Sequence, residues 1–528
     1  MKIQRVVIFL LACQLSIVNC QLSTAQTMVY LERSETLSFD QDRIADAQIL
    51  KGNVRFRHDD ALMFCDSAYF YETTNSLDAF GHVRFEQGDT LQGFCDRLFY
   101  NGNTKLARMR RNVRMVHGRA HENPTVLTTD SLNYDRARGV AYYYSGGVIR
   151  DSLNTLTSVR GQYVPNAKQA LFRQEVHLTN PNFVLTSDTL IYHTDTKVAN
   201  IVSPTTILYE EKTTITTSRG WYNTQSEQSM LLDRSLVKHK DGKSMTGDTI
   251  YYDKKIGFGK VLGHMEMRDT AQRATLYGEY GQMYEEYSRG YATDSALMVD
   301  WSDSVHVAYI HADTLFTEEL HFADSALADS TYRRVRAHHA ARIYRDDMQM
   351  VCDSMVYLGS DSTIHLYTKP ICWNANQQIA ADSIVVYIVN GAVDHAVGAP
   401  NAICVLQDTL DIFDQMSGKE ITAYLTDGEV HTIDVSGNAL TIYYPKDEED
   451  GSFVGMNTTE SSYIRAYVKN RNIYRLRFTK ETTGILFPLD QIPGGADRLT
   501  NFFWADDIRP ISPEDVFRRA ERVKELEN

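Results

Sequence analysis

Cysteine is scarce in this 528-residue chain: seven in all, of which Cys13 and Cys20 lie beside an apolar run near the N-terminus. The other five, Cys65, Cys95, Cys352, Cys372 and Cys404, are too few for a disulfide scaffold and form no CxxC metal spacing. Eleven prolines and 30 glycines exclude a collagenous or low-complexity chain, and four tryptophans stand against 31 tyrosines. After the leader, no apolar run approaches the roughly 20 residues that a membrane helix needs. GxSxG, HExxH and phosphate-loop patterns are missing, so no motif makes a case for an enzyme, and no metal or cofactor is called for. Basic charge is also in deficit: the formal net charge is −14, which argues against a general nucleic-acid binder.

The N-terminus reads as an export signal over residues 1–25. Lys2 and Arg5 precede the apolar run VVIFLLA, and Ser23-Thr24-Ala25 supplies small residues for cleavage. Losing Lys2 and Arg5 would take the charge from −14 to −16. LLAC and IVNC leave lipidation of Cys13 or Cys20 as an alternative. The mature chain is expected to be soluble or peripheral in an extracytoplasmic compartment.

What is present is a repeat. Taking its Asp as anchor, CDSAYFY (Asp66), CDRLFYN (Asp96), TDSLNYD (Asp130), SDTLIYH (Asp188), GDTIYYD (Asp248), ADTLFTE (Asp313), CDSMVYL (Asp353) and ADSIVVY (Asp382) recur. Degenerate copies around Gly161, Gly220 and Glu279 fill the doubled gaps, giving a period of about 30 residues from position 50 to 440. A second element keeps the same beat: GNVRF, GHVRF, RNVRM, GGVIR, QEVHL, GHMEM and DSVHV. In both elements the apolar residues fall at i and i+2, the strand period. The inward positions so predicted are Val54, Phe56, Val83, Phe85, Leu132, Tyr134, Val176, Leu178, Leu190, Tyr192, Ile250 and Tyr252. Each repeat is read as at least two strands separated by short turns bearing Gly, Asn, Asp and Thr. Helical periodicity is nearly absent here, so an all-β, elongated, solenoid-like array of stacked strands is expected.

An Asp in every copy points to architecture, a hydrogen bond at a turn or strand entry, rather than to a calcium ladder or a catalytic carboxylate pair. Cys65 and Cys95 occupy equivalent points of adjacent repeats, as do Cys372 and Cys404, so each pair could touch; the alternative is small apolar core residues. His338 and His339 face opposite sides of a strand and cannot both bind one metal. The basic stretches RMRRNVR (108–114) and YRRVRAHHAARIYR (332–345) read as solvated strand edges or as contacts to anionic groups on a lipid or partner.

From about Pro445 the beat breaks, defining an array over 26–444 and a capping region over 445–528. Its end is expected to be a short helix, with Ser512 as N-cap, Pro513 first, Asp515 completing a capping box, and Val516, Phe517, Ala520 and Val523 on one face.

The GNVRF and GHVRF strands, each followed by a (C/T)DSLxY strand behind an export signal, resemble the OstA-like family, which is related to the periplasmic bridge proteins of lipopolysaccharide transport. The tail SSYIRAYVKNRNIYRLRF…FPLDQIPGG…RP resembles the closing region of long OstA-like chains from the Bacteroides group of bacteria. The resemblance implies a β-jellyroll or "taco" whose apolar groove carries lipopolysaccharide acyl chains to the outer membrane without enzymatic activity. It implies the periplasm as location, with association to the outer membrane a further option. It implies lipopolysaccharide or a related glycolipid as ligand, and inner- and outer-membrane transport components as partners. End-to-end self-association is a further expectation. The competing readings are a structural or adhesive β-solenoid with a closed core, and a carbohydrate-active solenoid enzyme.

Overall fold

The computed structural model describes residues 27–518 apart from 41, 43, 45, 120–122, 286–287, 304, 323–329 and 448. The expected leader with Cys13 and Cys20, and the expected helical positions Ala520 and Val523, lie outside the described residues. The chain divides into two compact units, Met1–Ser203 and Pro204–Asn528. Within each, the described residues form antiparallel strands joined by short turns, with helical structure limited to isolated 3-10 turns. The fold is all-β and jellyroll-like.

The first unit is built from strands of 11 or 12 residues that bend in the middle, among them Gln48–His58, Ala61–Tyr71, Ser76–Gln87, Leu91–Asn101, Leu106–His117 and Thr125–Asp135. The bend has a local cause. Gly52-Asn53, Gly81-His82, Arg111-Asn112 and Gln174-Glu175 each place two consecutive residues in the left-handed region. The pairing register shifts at each of these sites: between Lys51 and Val54, Phe80 and Val83, Arg110 and Val113, and Arg173 and Val176. A bulge adds length to one strand only, so the sheet kinks there and its two halves fold face to face. The sequence places these dipeptides at turns between strands; the structure places them inside single long strands.

Contacts across the fold confirm that the halves meet. Phe56, beyond the bend of its strand, packs on Phe70 from the other half at a ring-centroid distance of 5.4 Å, and Phe85 meets Tyr134 edge-on at 5.9 Å. A Cβ on Gly93 would lie 2.7 Å from the Met109 methyl across the fold, so the absent side chain makes room for the methionine. Each fully buried Val, Leu or Phe of this kind contributes about 1.5–3 kcal/mol relative to exposure.

The recurring Asp explains why the bends are stable. Asp66 is the sixth residue of its strand, not its entry, and its Oδ2 lies 2.7 Å from Nδ1 of His82, in the bulge of the next strand. Asp96 accepts from Asn112 at 2.7 Å, Asp248 contacts His264 at 2.7 Å, Asp353 contacts His339 at 3.0 Å, and Asp382 accepts from Asn401 at 2.8 Å. Glu35 and Asn53 repeat the arrangement at the first bend. The carboxylate therefore clasps a left-handed residue in five of the eight repeats anchored on Asp, four times in the bulge of a neighbouring strand and, at Asn401, in the link between two strands. Gly81 shows why glycine recurs beside it: at φ +74° any Cβ would sit 2.4 Å from Asp66 Oδ2.

The second unit uses the same device at Asp233-Arg234, Gly263-His264, His339-Ala340 and Gly437-Asn438. Its register shifts lie between Leu232 and Ser235, Leu262 and Met265, His338 and Ala341, and Ser436 and Ala439. Glu279, in a degenerate repeat, takes the Asp role by accepting from the His264 backbone N–H at 3.1 Å. Strand pairing continues through Met456–Lys469, Asn472–Thr479 and Thr483–Phe487. The following segment lies across the outer side of this unit's sheet, where Ala505 and Ile508, with Phe502, Phe503 and Trp504, cover Val351, Ile371, Trp373, Ile403 and Val405. Gln378 fastens it on both sides, donating to the Phe503 carbonyl and accepting from the Ala505 N–H, each at 2.9 Å. At the C-terminal end, Glu514–Phe517 forms a 3-10 turn, with Ser512 Oγ accepting from the Asp515 N–H at 3.3 Å.

An apolar interior closed by tyrosine clasps

The two half-sheets of the first unit enclose a continuous apolar face. Val54, Phe56, Val83, Phe85, Leu132, Tyr134, Val176, Leu178, Leu190 and Tyr192 are each at most 3% exposed, as is Ile250 in the second unit. Tyr252 differs: it is half-buried, and its hydroxyl donates to Glu285 at 2.7 Å. The inward row is therefore tightly filled. Inside the second unit, a cavity of about 40 Å³ lies among Met348, Cys372, Trp373, Ile379 and Cys404, room for about one water molecule.

Opposite the bends, where the free ends of the two halves approach each other, tyrosines bridge the mouth. Most of them stand four residues after a repeat Asp. The Tyr100 hydroxyl accepts from Arg136 at 2.6 Å and donates to His58 Nδ1 at 2.6 Å. His58 Nε2 in turn donates to the Thr27 carbonyl at 3.0 Å. Tyr134 donates to Gln87 at 2.8 Å, and Tyr163 meets His117 Nδ1 at 2.7 Å. Tyr192 donates to Asp151 and accepts from Asn154, both at 2.8 Å. Ion pairs reinforce the row between the turns: Lys105 with Asp59 at 2.8 Å, Arg136 with Asp60 at 2.6 Å and Lys197 with Asp151 at 2.9 Å.

The electrostatics suit a closed seam. Burial pushes the Tyr100 and Tyr134 hydroxyls up to about 12 and lowers His58 and His117, so the imidazoles are neutral acceptors for the phenols. Asp151 is buried, which opposes its charge. Even so, the Lys197 ammonium, the Leu153 and Asn154 N–H groups and the Tyr192 hydroxyl hold it below the usual carboxylate range. Sequence reasoning placed Tyr134 and Tyr192 on the inner face but missed their partners. Those lie 38 to 47 positions away, so no local motif announces them.

The remaining candidates fall elsewhere. Cys65, Cys95, Cys352, Cys372 and Cys404 are all free and buried, and burial pushes the first two up to about 12, which makes them inert core residues. Cys65 lies opposite Val54, and Cys95 opposite Val83. His339 sits in a bulge beside Asp353, while His338 packs edge-on against Phe316 at 5.4 Å. In the 332–345 stretch, Arg334 and Arg336 converge on the buried Glu318 at 2.7 and 3.4 Å. His306, Asp346 and Asp347 bring ligand atoms within 4.8 Å of one another, but Arg345 already engages Asp347 at 2.7 Å. Among the described residues no helix is long and apolar enough to cross a membrane.

The folded antiparallel sheet, with its inward side chains forming one apolar face, is a β-jellyroll. Residues 26–188 match the family model described as OstA-like protein. No curated protein matches the chain.

Proposed function

We propose that this protein is a non-enzymatic, periplasmic carrier or bridge for lipopolysaccharide, taking its acyl chains between the two half-sheets on the way to the outer membrane. The observation that carries this reading is the apolar face itself, which runs from Val54 to Tyr192 and is sealed on one side by hydrogen-bonded side chains. Exposing acyl chains to water costs about 0.8 kcal/mol per methylene, and a row of Val, Leu, Phe and Tyr replaces that water. The OstA-like match over 26–188 supports the same reading, since that family is related to lipopolysaccharide transport. Inner- and outer-membrane transport components are the partners such a role requires, and end-to-end association of copies would lengthen the path.

The near-zero exposure of the inward row favours one rival, a structural β-solenoid with a permanently closed core. Photocrosslinking distinguishes the two. A photoreactive residue at Phe85 or Tyr192 should capture labelled lipopolysaccharide in the periplasm; failure at every inward position would sink the carrier reading. Depletion in the native organism should leave lipopolysaccharide short of the outer membrane.

A further inference from the structure

On the outside of the first unit, Leu106–His117, Thr125–Asp135, Val140–Tyr143, Arg160–Val164 and Gln169–Asn180 lie side by side. Arg108 is opposite Asn133, which is opposite Tyr142, and Arg160 is directly opposite Arg173. Like charges directly opposed across a strand pair are destabilising. Among the described residues, neither of these two arginines, nor Arg108, is engaged in an ion pair. Arg110 adds a further guanidinium, held on the Met109 and Leu132 carbonyls and on Asn133. The nearby acids do not balance this charge: Asp135 is engaged with Arg138 at 3.8 Å, and Asp130 faces Arg110. The surface is concave, a basin of about 300 Å³ whose lining includes Arg138, Tyr142, Tyr144, Arg160, Gln162 and Arg173, with Asp135 as its carboxylate. The Tyr142 and Tyr144 rings stand 5.5 Å apart on one side of it.

Three guanidinium groups, Arg138, Arg160 and Arg173, line the basin against the single carboxylate of Asp135, which favours an anionic ligand. We propose that this basin binds a phosphorylated sugar, the phosphate held by Arg160 and Arg173 and the saccharide resting against Tyr142, Tyr144 and Gln162. Guanidinium forks match phosphate geometry bidentately, and two of them on adjacent strands can share one phosphate. Tyrosine offers a flat apolar ring and a hydroxyl, and the volume is at the lower end of small-ligand pockets, suited to one or two sugar rings. The site stands on the outer face alone and does not depend on acyl chains entering the interior.

Isothermal titration of the full chain with glucosamine 1-phosphate tests it, with glucosamine, inorganic phosphate and phosphatidylglycerol vesicles as separate arms. The expected result is saturable binding of the sugar phosphate that weakens with salt. Affinity should fall at least tenfold in Arg160→Gln/Arg173→Gln and be unchanged in Arg84→Gln, an arginine remote from the basin. The double variant should keep or raise the thermal midpoint, because a repulsive pair is removed. Absence of sugar phosphate binding, equal affinity for glucosamine or for inorganic phosphate, binding to vesicles alone, or undiminished affinity in the double variant would each overturn the proposal.

Discussion

The Tyr100 hydroxyl donates to Nδ1 of His58, 42 positions earlier in the chain, at 2.6 Å, and in doing so ties the end of one half-sheet to the end of the other. Arg136 donates to the same hydroxyl and to Asp60. Tyr100→Phe removes the centre of this network and leaves a buried imidazole and a buried guanidinium short of a partner. A loss of about 1–3 kcal/mol in denaturant unfolding is expected. Tyr134→Phe strands only the Gln87 amide and should cost less. Equal, negligible losses in both would show that the mouth is not held by these bonds.

If the clasps restrain an entry route, weakening several should loosen the mouth before it unfolds the protein. Combining Tyr134→Phe, Tyr163→Phe and Tyr192→Phe is expected to increase binding of a hydrophobic dye and lipopolysaccharide crosslinking from Phe85, with the far-ultraviolet β signature retained. A triple variant that binds no more dye than the parent would favour a permanently closed core.

The buried histidines set a pH dependence of known sign. The folded-state pKa of His58 is lowered mainly by burial; Asp59 and the Thr27 carbonyl oppose the shift, while Arg136 and Lys105 add to it. That of His117 is lowered by burial and by Lys168. Unfolded histidine titrates near about 6.5, so the contribution of each is complete above that value and is lost as pH falls toward the folded value. His82 and His264 run the other way: hydrogen bonds to Asp66 and Asp248 raise them, so their contribution is present below about 6.5 and lost as pH rises through the folded value. Those two are exposed and screened by solvent, and the buried pair should dominate. Urea midpoints should therefore fall between pH 6.5 and 5, and the slope should shrink in His58→Gln/His117→Gln. A flat parent profile would contradict this.

The bends are expected to be the least tolerant glycine positions. Gly81→Ala must adopt φ +74° with its Cβ against Asp66, whereas Gly391, also at positive φ, faces open space. Gly81→Ala should cost about 1–3 kcal/mol, and Gly391→Ala distinctly less. Thermal midpoints of the two variants provide the comparison, and equal shifts would remove the clash from the explanation.

Much of this architecture was written locally. Alternation in GNVRF and CDSAYFY placed Val54, Phe56 and their counterparts on the inner face, because a strand's side-chain period is insensitive to what the strand pairs with. The Gly-Asn and Gly-His dipeptides signalled left-handed backbone but read as turns between strands, since a hairpin turn and a two-residue bulge make the same demand on φ. The tyrosine clasps were not legible. Their partners, His58, Gln87, His117 and Asp151, are ordinary polar residues at strand ends or in turns, and only the folding of the sheet brings them within reach. The Arg160–Arg173 pair was equally silent, as both members lie outside the basic runs.

Asp414 offers a test in the second unit. It is 7% exposed, and burial pushes its carboxyl up to about 7; Asp408 adds to the shift, while the Tyr444 N–H bond and Lys446 oppose it. The sign follows from linkage. An unfolded aspartate ionises near about 3.9, so between there and about 7 the folded chain holds a proton that the unfolded chain has released, and stability falls as pH rises through that window. Asparagine can accept the same Tyr444 N–H, now at 2.9 Å on Oδ1, without carrying charge. Asp414→Asn is therefore expected to match the parent near pH 4 and to exceed it by up to a few kcal/mol at pH 8, in proportion to the pKa shift. Chemical denaturation at the two pH values decides the matter. A variant less stable than the parent at pH 8 would mean that Lys446 holds the carboxylate charged despite burial and the neighbouring Asp408.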